Sequence, residues 1–294
     1  MKPRILSAPD LVIIAYESIV AAILLVFWSK LDRPALYLAL NLGLTGVTVG
    51  FALLEARRPS KLATFLHAWW PVVAVPVSFK EIAWVVPCIQ PFADGAWDKW
   101  LQARDEQLFG DTSGFFRSIA WGPAADLVTI GYWSYFLLPI ALGASLYRPP
   151  DLRKFREATT VLLVGWFVSY LGYFAIPAQG PHVWVESARA PALEGWLFAG
   201  TMHKALLAIE GTIPDAFPSG HALVAMLILV LAWRLHRRIF WIVLPFATGL
   251  ILGTMYLRYH YIVDVLAAAL LVPPCVALGR FLHRTREEPQ QNQG

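Results

Sequence analysis

Apolar residues dominate long, nearly uninterrupted stretches of this chain, and polar residues gather between them. A helix needs about 20 predominantly apolar residues to cross the hydrocarbon core of a bilayer. Eight stretches approach or reach that length, and we predict a membrane helix in each. They are residues 11–29, 35–54, 66–91, 125–147, 158–176, 219–233, 239–256 and 260–282.

The third stretch differs from the others because prolines and two charges interrupt it. Proline lacks a backbone N–H and clashes with the preceding helical turn, so the segment is predicted to be bent, broken or only partly inserted. Three roles stay open for Lys80 in this segment: it snorkels to the interface, pairs with Glu81, or lines a cavity. The interrupting residues are Pro71, Pro76, Pro87, Lys80 and Glu81.

Composition agrees with this pattern, since 57% of the residues are hydrophobic and only 15% are charged. Soluble domains carry roughly 25% charged residues. We therefore expect an all-α fold, a polytopic membrane helical bundle of about eight transmembrane helices. Cys88 and Cys275 both lie in apolar stretches, which favours packing roles over a disulfide framework or a thiolate metal site.

Basic residues gather in alternate loops between the apolar stretches. Under the positive-inside rule their side is the cytoplasm, and an even number of crossings places both termini there, in a protein of the plasma or inner membrane. Residues 92–124 and 177–218 then face outward. The net charge of +4 is explained by residues that set topology beside anionic lipid, so no nucleic-acid partner is expected. They are Lys2, Arg4, Arg57, Arg58, Lys61, Arg148, Arg153, Lys154, Arg156, Arg234, Arg237, Arg238, Arg284 and Arg286.

One outward segment, 98–110, mixes apolar and charged residues in the sequence DKWLQARDEQLFG. This pattern predicts an amphipathic helix lying in the outer interface, with Trp100 at headgroup level. Its charges are expected to be solvated.

The sequence FPSGH, ending at His221, comes directly before an apolar stretch. Pro218 cannot continue a helix backwards, Ser219 is a good N-cap, and Gly220 leaves backbone N–H groups approachable. A helix N-terminus of this kind suits a phosphate. His221 adds a titratable group at the same place.

The sequence YLRYHYIVD contains His260 and Asp264, which are four residues apart and share a helical face. Asp264 is expected to accept the Nδ1 proton of His260, which leaves Nε2 free as a nucleophile. Arg258, a planar donor, is placed to reach phosphate oxygens.

Other interpretations of these motifs stay open. Ser and Gly before an apolar helix are often only a cap, and a membrane His paired with Asp also suits a proton relay in a proton-coupled transporter. A structural membrane protein is a third class. Because both histidines, the aspartate and the arginine are predicted at one membrane face, the pattern favours a site that handles phosphate.

The PSGH and HYIVD sequences resemble the second and third motifs of the type 2 phosphatidic acid phosphatase superfamily, and YLRYHYIVDVLA is similar to the branch of inositol phosphorylceramide synthases. The resemblance implies a helical core that dephosphorylates lipids, or transfers their phosphate groups, without a metal or other cofactor. It implies that His260 forms a phosphohistidine, Asp264 orients it and His221 protonates the departing alkoxide. Ser219 and Gly220 would hold the phosphoryl oxygens.

Two departures from the family pattern concern positive charge. Gly253 and Thr254 stand where the third motif usually has Ser-Arg, so Arg258 is the candidate to replace the arginine. The first motif, a Lys followed by Arg-Pro, is absent, and His182 stands where the related branch has Arg. Two interpretations of His182 stay open: it contacts the phosphate, or it is a loop residue with no such contact. Gln179 and Tyr173 are weaker candidates.

The resulting prediction is a lipid phosphate phosphatase acting at the extracytoplasmic face. Transfer of a phosphorylated head group such as phosphoinositol is the first alternative and a proton-coupled transporter the second. We expect an N-terminal transmembrane hairpin at 1–65, a membrane catalytic domain at 66–286 and a disordered tail at 287–294. A membrane lipid phosphate and the bilayer are the expected partners. The oligomeric state is open, and a homo-oligomer is one alternative.

Overall fold

The computed structural model describes residues 5–89, 94–184, 195–210 and 213–287. These residues form helices joined by short turns and contain no β-strand, which confirms the predicted all-α fold. The helices are α1 (Ala8–Val26), α2 (Pro34–Arg57), α3 (Lys61–Trp69), α4 (Pro71–Ile89), α5 (Ala96–Phe109), α6 (Thr112–Ser118), α7 (Gly122–Trp133), α8 (Leu138–Leu146), α9 (Arg153–Ala175), α10 (Pro181–Trp184), α11 (Ala199–Glu210), α12 (Gly220–Leu235), α13 (Arg237–Tyr256) and α14 (Ile262–Glu287).

Six segments of the described chain are long and apolar enough to cross a bilayer: α1, α2, α3 with α4, α9, α13 and α14. Helices α7 and α8 are bent by 47° at a short break, and the pair is long and apolar enough for a seventh span if it crosses as one unit. Helix α12 is apolar but has only 16 residues, fewer than the usual 17 to 25. Within the described residues, each of the eight predicted stretches is mainly helical.

The predicted interruption of the third span lies at Trp70, where α3 ends and α4 begins at Pro71. Proline is favourable in the first turn of a helix because its missing N–H would have no partner there. Helix α4 continues through Pro76 and Pro87. The end of the predicted span, residues 90–91, lies outside the described residues, as do 288–294 of the predicted tail.

Helix α9 lies at the centre of the bundle and packs against α1, α4, α12 and α14. Its buried side chains point in several directions because neighbouring helices surround it. Helix α1 thus packs on α2 and also on the larger part of the bundle. The domain division at residue 65 stays a prediction.

Charged side chains meet at the end of the bundle where α9 begins. The His67 ring lies between Asp10 and Glu55, at 2.9 and 2.5 Å. Arg156, in the first turn of α9, lies 3.9 Å from Glu55. The last turn of α9 contains Tyr173, about 26 Å away at 1.5 Å per residue. This charged cluster and the Tyr173 end therefore lie at opposite ends of the bundle.

Helix α5 corrects the expectation of a solvated interfacial helix. Asp98 and Asp105 are 0% and 3% exposed, so these two charges are buried. They lie seven residues apart and share one helical face. Asp98 accepts the backbone N–H of Gly180, and Asp105 accepts that of Ile262 just after His260, which explains their burial.

Candidate active site

The two sequence motifs meet at the N-terminus of α12. Ser219 caps this helix as predicted, because its hydroxyl accepts the Ala222 N–H at 3.2 Å. The Ser219 N–H donates to the Asp264 carbonyl at 3.2 Å. The start of α12 is thereby tied to the first turn of α14, which brings the two motifs together.

The backbone N–H of Gly220 is hydrogen-bonded to a tyrosine. Its N–H donates to the Tyr173 hydroxyl at 3.1 Å, and a Cβ at this position would lie 2.3 Å from that oxygen. Glycine is required for this close approach. The predicted open donor at Gly220 is therefore already bonded, and Ser219 is fully buried. Their roles in phosphate binding stay predictions, while Tyr173 gains importance because it lines the adjacent cavity.

His221 lies at the start of α12 between two tyrosine rings. Tyr132 stacks on it with 4.8 Å between ring centroids, and Tyr135 lies at 4.3 Å. The His221 Nε2 and the Tyr132 hydroxyl share a hydrogen bond of 3.1 Å. The imidazole is held in one orientation on the wall of the cavity.

The tautomer of His260 follows from its nearest neighbour. Nδ1 lies 2.8 Å from the Ala216 carbonyl oxygen, and a carbonyl only accepts hydrogen bonds. Nδ1 therefore carries the proton in the neutral ring, and Nε2 keeps its lone pair. Burial lowers the pKa of His260, while the Asp215 charge and the Ala216 carbonyl act in the opposite direction.

Asp264 is not the closest partner of His260, in contrast to the prediction. Its Oδ2 lies 3.5 Å from Nδ1 and accepts the Tyr261 N–H at 2.8 Å. The carboxylate is directed toward the first turn of its own helix because unpaired N–H groups there attract an acceptor. The Ala216 carbonyl makes the direct contact, and the orienting role of Asp264 stays a prediction.

The two histidine rings lie close together, with 5.8 Å between their centroids, but they do not line one shared cavity. His221 faces a large cavity between α4, α8 and α9, whereas His260 lines a small polar cavity beside α5 and α6. Both rings are buried. This proximity is the geometry that a shared phosphoryl group requires.

Arg258 does not face the large cavity. Its backbone is left-handed, with φ of 64°, and its guanidinium turns toward α6. There it donates to the Thr112 carbonyl at 3.3 Å and the Ser113 hydroxyl at 2.9 Å, over the Phe116 ring. The side chain lines the small cavity together with His260. Phosphate binding by Arg258 therefore stays a prediction, and it applies only to a phosphate in the small cavity.

His182 lies apart from the histidine pair. Its ring contacts Tyr259 at 5.2 Å, and Tyr259 in turn contacts Tyr132 at 4.8 Å. His203 packs against the same Tyr259 ring and shares a hydrogen bond with its hydroxyl. Two aromatic rings thus separate His182 from His221, and its predicted phosphate contact has no support from this position.

Asp215 belongs to the site and was missed from the sequence. It is half-buried and lines the large cavity with His221. Burial raises its pKa to about 6, and the nearby His260 acts to lower it. The signal in the sequence was its place four residues before Ser219, in the predicted outward segment 177–218.

Asp98 and Asp105, both on α5, accept hydrogen bonds from the segments around the site. Asp98 accepts the N–H groups of Gln179 and Gly180, and the Tyr261 hydroxyl at 3.2 Å. Asp105 accepts the N–H groups of the first two residues of α14, each at 2.9 Å. Their spacing of seven residues was the signal that could have predicted a buried face.

Lys80 lines the large cavity together with Asp215 and His221. Its neighbour Glu81 is directed toward a different group, the Asn41 amide, at 3.2 Å. The structure therefore agrees with the alternative in which Lys80 lines a cavity. Among the described residues, no three His, Cys, Asp or Glu side chains are grouped so as to hold a metal ion.

Comparison with known proteins identifies relatives of the chain. The sequence profile described as "PAP2 superfamily" matches residues 99–278, which confirms the resemblance seen in the two motifs. A "PA-phosphatase related-family protein" of Dictyostelium discoideum is 28% identical over 179 residues, which cover 54% of this chain and 32% of that protein. A "Phosphoinositol dihydroceramide synthase" of Bacteroides thetaiotaomicron is 23% identical over 167 residues, 52% of this chain and 54% of the relative. The matches thus span about half or less of those relatives. No solved structure matches the chain.

Proposed function

We propose, since this chain belongs to the PAP2 superfamily, that it is a membrane enzyme that cleaves the phosphate ester of a lipid through a phosphohistidine. The observation that carries the proposal is the bond from His260 Nδ1 to the Ala216 carbonyl. It leaves Nε2 unprotonated in a ring that lies 5.8 Å from His221.

In the first half of the reaction, the Nε2 lone pair of His260 forms a bond to phosphorus and the bond from phosphorus to the lipid oxygen breaks. His221 gives a proton to the departing alkoxide, which leaves as the lipid alcohol. In the second half, water attacks the phosphohistidine, its proton returns to His221, and the N–P bond breaks. Two displacements replace one difficult step.

The developing charge on the phosphoryl oxygens needs nearby donors and cations. Tyr173 and Lys80 line the cavity at the His221 end and supply a hydroxyl and a positive charge. Lys80 is the candidate to replace the basic residues absent from the first motif. The proposed reaction uses no metal ion, because imidazole nitrogens act as nucleophile and acid.

Phosphotransfer is a second candidate function, and the similarity to a protein named phosphoinositol dihydroceramide synthase favours it. In that reaction a hydroxyl of an acceptor replaces water in the second half. Purified protein incubated with lipid phosphates, with and without an alcohol such as inositol, separates the two. Free phosphate as the main product supports hydrolysis, and an acceptor-dependent product supports transfer.

The phosphohistidine itself is tested with a lipid phosphate labelled in its phosphate. We expect alkali-stable, acid-labile label on the wild-type protein and none on the His260→Ala variant. His236→Asn is the matched control, because His236 caps α13 away from the site and asparagine preserves a cap. Equal labelling of His260→Ala and the control would contradict the mechanism.

We also propose that the site faces away from the cytoplasm and that both termini lie inside. The geometry supports this, because Arg156 and the site-lining Tyr173 lie at opposite ends of α9 and basic residues favour the cytoplasmic side. With both native cysteines replaced by alanine, a cysteine at exposed Lys99 should react with an impermeant maleimide in intact cells. A cysteine at exposed Lys61 should react only after permeabilisation, and the reverse result would overturn the topology.

A further inference from the structure

The cavity that contains His221 continues far beyond the histidines along one face of α9. Its α9 lining residues recur at intervals of three or four, which is the period of a single helical face. At 1.5 Å per residue they extend over about 27 Å, close to the roughly 30 Å of a hydrocarbon core. These residues are Tyr173, Tyr170, Trp166, Leu162, Thr159 and Phe155.

The cavity is polar only at one end. Asp215, His221 and Lys80 lie there, and Phe79 of α4 contacts Tyr170 at 5.5 Å near that end. Farther along, the walls from α4 and α8 are apolar. The hydroxyl of Thr159, one helical turn from Phe155 at the far end, is bonded to a backbone carbonyl of its own helix. The chemical character therefore matches a molecule with one polar head and a long apolar tail.

The far end of the cavity is built from aromatic side chains. Trp69 and Phe155 contact each other there, with 5.3 Å between ring centroids. This end lies beside the charged cluster of Glu55 and Arg156, because Phe155 and Arg156 are neighbours in the first turn of α9. A tail that reaches Trp69 would have passed the middle of the bundle.

The cavity is narrow and open on one side. Its volume is about 210 Å³, which over this length is too small for two hydrocarbon chains side by side. Val72 on α4 and Ile140 on α8 belong to its lining and are 45% and 39% exposed. A lipid tail can therefore enter sideways between these two helices without leaving an apolar surrounding.

We propose that this cavity binds the tail of the lipid substrate, and that the preferred substrate carries one long tail that extends past the bilayer midplane toward Trp69 and Phe155. The inference rests on the proposed function, because the phosphate must lie between His221 and His260. Lipid around the protein is as apolar as the cavity, so selection arises from packing. A short tail leaves the far lining without contacts.

Photo-crosslinking tests tail placement without catalysis. The probes are two single-chain lipid phosphonates, which resist hydrolysis, with a photoreactive group at the tail end and either a short or a cavity-length tail. In wild-type protein the long probe should label peptides containing Trp69 or Phe155, and the short one peptides containing Phe79 or Tyr170. Labelling at one common place, or outside the cavity, would overturn the proposal.

A substitution near the far end of the cavity tests selectivity. Thr159→Phe should lower kcat/KM for a long-tailed lipid phosphate about 50-fold and change it less than about twofold for a short-tailed one. Ala144→Phe is the control, because Ala144 is exposed on α8 and does not line the cavity. Retained activity on the short substrate shows that the variant is folded. Equal losses on both substrates, no loss, or a preference for two-chain lipids would contradict the proposal.

The failure of this inference is distinguishable from failure of the proposed function. If the wild-type protein neither releases nor transfers phosphate from any lipid, the proposed function fails, and the crosslinking result still decides whether the cavity holds a long tail. If phosphate is released without dependence on tail length, the inference fails and the proposed function stands.

Discussion

His221 and His260 lie with their ring centroids 5.8 Å apart, although they belong to different motifs at the starts of different helices. The contact depends on the bond from the Ser219 N–H to the Asp264 carbonyl, which ties the two helix starts together. A nucleophile and a proton donor held this close need little reorganisation around a bound phosphoryl group.

Substitution of Asp215 by asparagine should move the acidic limb of the pH–rate profile. The Asp215 carboxylate raises the pKa of His260, against burial, which lowers it. Without that negative charge the pKa of His260 falls further, so the neutral nucleophile persists at lower pH. We expect the limb of kcat/KM to shift down by about one pH unit. A shift to higher pH, or none, would contradict this electrostatic coupling.

Asp105→Asn should weaken both the fold and the reaction. Asparagine offers one oxygen where the carboxylate accepts two N–H groups of α14, just after His260. We expect a loss of about 1–2 kcal/mol in the free energy of unfolding and about a tenfold lower kcat. Thermal unfolding and turnover measure the two effects. Glu106→Gln, at the exposed neighbouring position, should leave both unchanged.

Lys80→Gln should raise KM for a lipid phosphate about tenfold, because a charge-assisted contact with the phosphate is lost. Lys80→Arg should retain most of the affinity. Lys61→Gln removes the same charge at an exposed position outside the cavity and is the control. If Lys61→Gln raised KM as much as Lys80→Gln does, general surface charge would explain the effect.

Gly131→Ala should destabilise the contact between α7 and α13. A Cβ at Gly131 would lie 2.5 Å from the Gly249 carbonyl carbon, so one backbone must shift, at a cost of about 1–3 kcal/mol. The melting temperature in detergent measures this loss. Gly46→Ala is the control, because no atom lies within 4 Å of its Cβ position. A lower melting temperature for Gly46→Ala than for Gly131→Ala would contradict the close-packing argument.

Treatment with a chelator such as EDTA should leave the reaction rate unchanged. The proposed nucleophile and acid are imidazoles, and no metal-binding group of His, Cys, Asp or Glu occurs within the described ranges. The assay compares phosphate release before and after chelation. A loss that added Mg²⁺ restores would show that a metal takes part.

The sequence alone determined the class of protein, the approximate positions of the apolar helices and the two histidine motifs. These features are local, because hydrocarbon requires each spanning segment to satisfy its own backbone and to present apolar side chains. The cap at Ser219 is likewise local, since its hydroxyl bonds a residue three positions away. The pairing of the motifs also followed from topology, because both were predicted at the same membrane face.

Only the tertiary structure decided which atoms meet around the histidines. The Ala216 carbonyl replaces Asp264 as the direct partner of His260, and Arg258 turns toward α6 instead of the large cavity. Asp98 and Asp105 become buried acceptors, and Lys80 reaches the cavity from outside the matched family region. These contacts join residues from separate helices, so they depend on how the helices pack, and hydrophobic periodicity within one segment carries no information about its neighbours.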